Sequence, residues 1–222
     1  METVHSPTKV VTFELHGGVV DTAQHTTEVV QHLFAAYQLT VPYPSSVLRM
    51  LKKANMEWEA IFRAAGIVPD LKSLDEVRND FRQVSRELGG ARGIPGIRET
   101  LSALRQNGVE CVVVSSLPAQ SMERELDRAG LTREDFDEVV SGKRSRRTAL
   151  QHIERTRNVA PTDILWIGGM GSDLTPVEAC GSRTVRIDPT ATRQGKEAST
   201  REIRNLAALA HRRENVQFRT IE

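Results

Sequence analysis

Two ionisable residues, Glu14 and His16, follow directly after an apolar segment near the start of the chain. Residues two positions apart at the end of a β-strand lie on the same face, so this carboxylate and imidazole can act as an acid–base pair. An imidazole exchanges protons near neutral pH without any adjustment of its pKa. Gly17 and Gly18 come next, and their backbone N–H groups can approach an anion closely. The pattern therefore predicts acid–base chemistry on a small anionic or carbonyl-bearing substrate, with Glu14 and His16 as catalytic residues.

Short apolar segments separated by segments of helical periodicity must position these residues. The predicted strands are residues 10–15, 110–115, 138–141, 164–168 and 184–187. The predicted helices between them are residues 97–107, 118–129, 145–157 and 174–180. Strands that alternate with helices favour an α/β fold with a parallel, doubly wound sheet, whose ligands bind at the carboxyl ends of the strands.

Residues 22–93 differ from the rest because their pattern is helical throughout. The predicted helices are residues 26–39, 45–53, 57–65 and 74–88. We predict that residues 22–93 form a helical cap inserted into an α/β core made of residues 1–21 and 94–222. Asp21 is expected to cap the first of these helices or to fix the hinge. Near the end of the chain, a further helix is predicted over residues 200–210.

Composition limits the partners and the location of the protein. Of 222 residues 27% are charged, and the net charge of +1 provides no basic or acidic tail, so we expect no nucleic-acid partner. No apolar run approaches the roughly 20 residues that span a bilayer, and no signal peptide is recognised, so we expect no membrane partner. Cys111 and Cys180 are expected to be separate buried thiols, which fits a reducing cytoplasm. We expect a small anionic molecule as partner and leave a homodimer open.

Four segments, in order and each at a predicted strand end, resemble the motifs of the haloacid dehalogenase (HAD) superfamily. Residues 10–22 resemble the first motif, a strand ending in Asp-x-Asp-Gly-Thr, with Glu14 and His16 at the two Asp positions. Ser115, followed by Ser116, stands at the hydroxyl position of the second motif, and Lys143 stands at the lysine of the third. Residues 166–173 resemble the fourth motif, Gly-Asp-x-x-x-Asp.

The resemblance implies a Rossmannoid core with a type-1 cap, in which the first Asp attacks the substrate and Mg²⁺ is held by carboxylates of the first and fourth motifs. The second motif binds a phosphate oxygen, and the lysine of the third steadies the negative charge. The cap length and a helix beginning near Ala54 resemble the phosphonoacetaldehyde hydrolase-like group most. In that comparison, Glu57 falls at the position of the group's Schiff-base lysine, with Lys52 and Lys53 one turn away.

The motifs are degenerate at the residues that would hold the metal. Gly169 stands at the first Asp of the fourth motif and offers no side chain, while Asp173 keeps the second Asp. Glu14 retains a carboxylate but places it one methylene further out, which misplaces an attacking oxygen. We therefore expect no metal site and no cofactor. We expect the anion to be held by Gly17, Gly18, Ser115, Ser116, Lys143 and Asp173, and we expect Arg146 and Arg147 to lie on a solvated helix start.

Three functions remain open at this point. The first is a repurposed enzyme with metal-independent acid–base chemistry. The second is a catalytically inactive pseudoenzyme that binds a ligand or partner, which would arise if the residues of an abandoned metal site had varied freely. The third is a conventional Mg²⁺-dependent phosphatase or phosphonatase, the only one of the three that needs the metal as cofactor.

Overall fold

The computed structural model describes residues 8–187, apart from residues 55, 69, 144, 170 and 171. Contacts divide the chain into two compact units, one formed by Met1–Val20 with Gly93–Glu222 and the other by Asp21–Arg92. The helix predicted over residues 200–210 lies outside the described residues. Within the described ranges, no helix is long and apolar enough to cross a membrane.

The helices and strands follow the predicted alternation closely. The helices are α1 Thr22–Ala36, α2 Pro44–Lys53, α3 Glu59–Ala64, α4 Leu74–Glu87, α5 Ile97–Gln106, α6 Ala119–Arg128, α7 Arg146–Arg157 and α8 Thr175–Glu178. The strands are β1 Val10–Glu14, β2 Glu110–Val114, β3 Glu138–Val140, β4 Ile164–Gly169 and β5 Arg183–Ile187. All five predicted strands are present.

The first unit is built on a parallel sheet in the order β3-β2-β1-β4-β5. This arrangement confirms the predicted α/β fold. β1 lies in the middle, between β2 and β4. Because the strands are parallel, their carboxyl ends meet at one edge of the sheet, which is where the predicted site residues lie.

Helices α7 and α8 cover one face of this sheet. The buried cluster on that face contains Val10, Val112, Val114, Val140, Ala149, Leu150, Ile153, Ile164, Trp166, Leu174 and Val177. Alternate residues of a strand point to the same face, so Glu14 lies on the same face as Val10. Thr12, which also belongs to this series, pairs in register with Trp166 of β4. The end of β1 therefore presents Glu14 toward α7, α8 and Trp166.

The second unit consists of α1 to α4 around a core of its own. This core contains Val29, Val30, Leu33, Phe34, Val47, Leu51, Ile61, Phe62, Ile67 and Val77. Trp58 stacks on Phe81 with ring centroids 4.1 Å apart and meets Phe62 edge-on at 5.6 Å, so Trp58 is part of the packing of this unit. Helix α1 begins earlier than predicted, because the Asp21 side chain accepts the Gln24 N–H at 2.9 Å and so caps the helix.

Candidate functional site

A tight turn, Leu15–Val19, follows β1. The Val20 N–H donates to the Leu15 carbonyl at 2.9 Å, and the Gly17 N–H donates to the Val20 carbonyl at 2.9 Å. Gly17 has a φ of 82°, a conformation that glycine adopts without steric cost. Gly18 is buried. The N–H of Gly17 is thus used inside the turn, and the anion-binding role of the two glycines stays a prediction.

The carboxylate of Glu14 is buried and accepts hydrogen bonds from three side chains. Arg146 donates from Nε to Oε1 and from Nη2 to Oε2, the latter at 3.3 Å. Trp166 donates from Nε1 to Oε1 at 3.1 Å, and the Ser172 hydroxyl donates to Oε2. The two oxygens of a carboxylate offer about four lone-pair positions, and here each oxygen accepts two bonds. The hydrogen-bond acceptor positions of the Glu14 carboxylate are therefore all used by side chains of the same chain.

The expectation that Arg146 lies on a solvated helix start is wrong. It is the first residue of α7, is about one-third exposed and forms an ion pair with Glu14. Ser145 accepts the Thr148 N–H at 3.1 Å and so fixes the first turn of the helix. Helix α7 covers the face of the sheet on which Glu14 lies, which brings the guanidinium within reach of the carboxylate. Arg147 is exposed, as expected.

His16 is exposed and is not among the hydrogen-bond partners of Glu14 in the described part of the chain. The protein packed around the ring lowers the pKa of His16 below its ordinary value of 6.5. The carboxylates of Glu125 and Glu14 oppose this shift. At neutral pH the imidazole is therefore mostly uncharged and able to accept a proton.

The loops after β2 and β3 bring Ser115, Ser116 and Lys143 to the same edge of the sheet. The Ser115 N–H donates to the Val140 carbonyl at 2.9 Å. The Ser115 hydroxyl accepts the Leu117 N–H at 3.1 Å and still carries its own proton to donate. Ser116 is exposed, and Lys143 is half-exposed. Among the described residues, no ion pair engages the Lys143 ammonium group.

Asp173 is exposed at the start of α8 and accepts the Thr175 N–H at 3.1 Å. Hydrogen bonds from Thr175 lower the pKa of Asp173, and the guanidinium groups of Arg146 and Arg186 add to this effect. The side chain therefore stays ionised at neutral pH. Its neighbour Ser172, and not Asp173 itself, contacts Glu14.

Gly17 and Gly169 contact each other through their backbones. A Cβ built on Gly169 would lie 2.6 Å from the Gly17 Cα, and a Cβ on Gly17 would lie 2.5 Å from the Gly169 Cα. The Gly169 N–H donates to the Ser172 hydroxyl at 3.1 Å. A side chain at position 169 therefore has no room unless the turn after β1 moves.

The sequence of this chain matches one protein family over most of its length. A family model described as haloacid dehalogenase-like hydrolase matches residues 11–187. The chain belongs to the haloacid dehalogenase-like hydrolase family. A search of curated proteins found no match to this chain.

Solved structures of the HAD fold are similar to this HAD-like chain over most of its length. A HAD family hydrolase from Deinococcus radiodurans with bound phosphate and sodium has a TM-score of 0.67 and 18% identity, covering 91% of this chain and 93% of that one. A predicted phosphoglycolate phosphatase from Haemophilus somnus has a TM-score of 0.60 and 18% identity, covering 92% and 97%. CbbY from Rhodobacter sphaeroides in complex with phosphate has a TM-score of 0.57 and 17% identity, covering 91% and 96%. At these identities the likeness shows the fold.

The Mg²⁺ ion that the resemblance implies does not fit the residues of this HAD-like protein. Mg²⁺ requires carboxylate oxygens with lone pairs directed at the ion. Both oxygens of Glu14 are occupied by donors from within the chain, and Gly169 has neither a carboxylate nor room for one. Across the part of the chain that the structure describes, no group of three or more His, Cys, Asp or Glu residues could hold a metal ion.

Three residues of this HAD-like site, Arg146, Trp166 and Ser172, were missed by the motif comparison. Trp166 carried the clearest signal, because a buried indole N–H needs an acceptor and Glu14 lies near the end of another predicted strand. Arg146 belongs to a basic run, and such runs are usually solvated. Ser172 sits beside the more conspicuous Asp173.

Proposed function

We propose that this protein is a member of the HAD-like hydrolase family that binds a small anion at the strand ends and does not catalyse Mg²⁺-dependent phosphoryl transfer. The observation that carries the proposal is the saturation of Glu14 by Arg146, Trp166 and Ser172. A carboxylate acts as nucleophile or metal ligand through a lone pair, and here both oxygens are engaged. This favours the pseudoenzyme hypothesis over a conventional phosphatase.

Anion binding is supported by the groups around Glu14. Arg146 neutralises the Glu14 carboxylate, so this charge does not repel an incoming anion. Ser115 and Ser116 present hydroxyl groups, and Lys143 supplies a positive charge at the same edge of the sheet. Two similar structures of the fold, the Deinococcus radiodurans hydrolase and CbbY, were solved with bound phosphate, which makes inorganic phosphate a suitable probe.

A titration of inorganic phosphate against the full chain tests the binding part. We expect saturable binding that Lys143→Ala weakens by about tenfold, the loss expected for one charge-assisted contact. Arg147→Ala is the matched control, because it removes an exposed cation from the same segment and should leave the affinity unchanged. Glu14→Gln should retain phosphate binding, because Glu14 is not among the groups proposed to hold the anion. Absence of saturable binding, or equal effects of the two cation variants, would contradict the proposed site.

Phosphate release from p-nitrophenyl phosphate and phosphoglycolate tests the catalytic part. We expect no release with Mg²⁺ above that seen with EDTA. Release that needs Mg²⁺ and disappears in Glu14→Gln would restore the conventional phosphatase or phosphonatase function. The closeness to the phosphonoacetaldehyde hydrolase-like group stays a prediction. The expectation of a helix that begins near Ala54 is wrong, because Ala54 caps the end of α2 and α3 begins only at Glu59.

A second candidate, metal-independent acid–base chemistry, is supported by His16 alone. His16 is accessible to solvent, and its lowered pKa keeps it mostly neutral at pH 7, so it can act as a general base. Glu14 does not fit the partner role, since its lone pairs are engaged. EDTA-resistant turnover of a carbonyl-bearing substrate that is lost in His16→Asn would establish this candidate. The same loss in Glu14→Gln would be required for the acid–base pair.

A further inference from the structure

The helical unit contains a cavity of about 630 Å³. It lies between α1, α4 and the segment that joins α3 to α4, so every residue that lines it belongs to this unit. Cavities of roughly 300–1,000 Å³ are typical of small-molecule sites. None of these residues belongs to the four motif segments at the strand ends.

The floor of the cavity is apolar. Leu33 and Ile67 are 1% exposed, and Val84 is partly buried beside them. Leu71, which is 65% exposed, extends the apolar surface to the rim. A hydrophobic body in the cavity would gain contact with these side chains and would cover Leu71.

One wall of the cavity already holds a cation against an aromatic ring and a carboxylate. The Lys72 ammonium group donates to Asp80 Oδ2 at 2.6 Å and lies 4.7 Å from the centroid of the Tyr37 ring. The Tyr37 hydroxyl donates to the same oxygen at 2.6 Å. Burial, together with the hydrogen bond to Asp80, raises the pKa of Tyr37, so the phenol remains a donor. An aromatic face beside a carboxylate is the environment in which proteins bind ammonium groups.

The charge of the lining favours a cation over an anion. Asp80 and Glu87 contribute two negative charges, and Lys72 contributes one positive charge. Glu87 is exposed at the rim, where it accepts a hydrogen bond from the neutral amide of Gln83 at 2.9 Å. The Glu87 carboxylate is thus accessible from solvent at the rim of the cavity and pairs with no cation among the described residues of the lining.

We propose that this cavity binds a small organic ammonium ion carried on an apolar body. The apolar body packs against Leu33, Ile67 and Val84, and the ammonium group is bound by Glu87 at the rim. This site is separate from the strand ends of the first unit and does not rest on the proposed function.

A pair of probes with similar bodies and opposite charges tests the proposal. We titrate the full chain with 2-phenylethylamine, which is protonated at pH 7, and with 3-phenylpropanoate, and follow binding by calorimetry. We expect the ammonium probe to bind at least about tenfold more tightly than the carboxylate, and Glu87→Gln to weaken it by about tenfold. Asp75→Asn is the matched control, since Asp75 is an exposed acid on α4 outside the lining.

Three results would overturn the proposal. They are equal binding of the two probes, an affinity for the ammonium probe that Glu87→Gln leaves unchanged, and no saturable binding of either probe. Glu87 is exposed, so its substitution tests the charge without risk to the fold. Chemical-shift changes of the Tyr37 ring in the bound state place the ammonium probe at this cavity and not at the strand ends.

Discussion

Gly17 and Gly169 approach so closely that a Cβ on either residue would lie within 2.6 Å of the other's Cα. Gly169 stands where the family resemblance places a metal-binding Asp, and Gly17 belongs to the turn that follows β1. These distances are far inside van der Waals contact, so a side chain at position 169 and the present position of the turn exclude each other. An Asp introduced at position 169 would therefore not create a metal site unless the turn after β1 also moved.

Gly169→Ala is expected to lower the free energy of unfolding by about 1–3 kcal/mol, because the added methyl group overpacks against the backbone of Gly17. Gly169→Asp is expected to cost at least as much. Urea unfolding measures both. Gly108→Ala is the control, since Gly108 has a φ of 72° and nothing within 4 Å of its Cβ position, so it reports backbone strain without a clash. A Gly169→Asp variant as stable as the parent would contradict the packing.

Glu14→Gln is expected to lower the free energy of unfolding by about 2 kcal/mol, because it leaves the Arg146 guanidinium without its counter-charge and offers a donor where Ser172 also donates. Urea unfolding measures the loss. Glu59→Gln is the control: it weakens a half-exposed pair with Arg78 and should cost at most about 0.5 kcal/mol. A double-mutant cycle between Glu14→Gln and Arg146→Ala should give a clear coupling energy, and simple additivity would argue against the pair.

His16 is expected to titrate with a midpoint below 6.5, as followed by the NMR shift of its ring protons. Because its pKa is lower in the folded chain, the unfolded chain binds more protons between the folded pKa and 6.5. The free energy of unfolding should therefore fall as the pH drops below about 6.5, and His16→Asn should make this fall shallower. Glu125→Gln removes a carboxylate that raises the pKa, so it should shift the midpoint further down. An upward shift in Glu125→Gln would contradict this.

Asp21→Ala is expected to cost about 1 kcal/mol of stability, the usual value for removing an N-cap acceptor. The Asp21 carboxylate accepts the Gln24 N–H and so starts α1 at Thr22. Asp21→Asn keeps an oxygen acceptor at this position and should be nearly neutral in thermal or urea unfolding. Equal losses in the two variants would assign the effect to the charge and not to the cap.

The core fold could be predicted from the sequence because its signals are local. Short apolar segments placed all five strands, and their alternation with helices indicated the parallel sheet. The start of α1 was predicted four residues late, since the first polar turn of that helix carries no apolar periodicity. The contact of the turn Leu15–Val19 with Gly169 was not predicted, because it depends on the positive φ of Gly17 and on the approach of two strand ends that are distant in sequence.

The candidate site was less predictable because its contacts are distant in sequence. Motif positions located Glu14 at the strand end, but the partner of its carboxylate is 132 residues away. A run of basic residues is usually solvated, and only the packing of α7 on the sheet shows that Arg146 is the exception. The indole of Trp166 was predicted only as part of a buried strand, although its N–H required an acceptor.

Calorimetric titration of Mg²⁺ against the full chain tests the central claim most directly, namely that the Glu14 carboxylate is engaged by Arg146, Trp166 and Ser172 and does not hold a metal. The account predicts no saturable heat of binding and no rise in the melting temperature with added Mg²⁺. Micromolar binding of Mg²⁺ that is abolished in Glu14→Gln would contradict it.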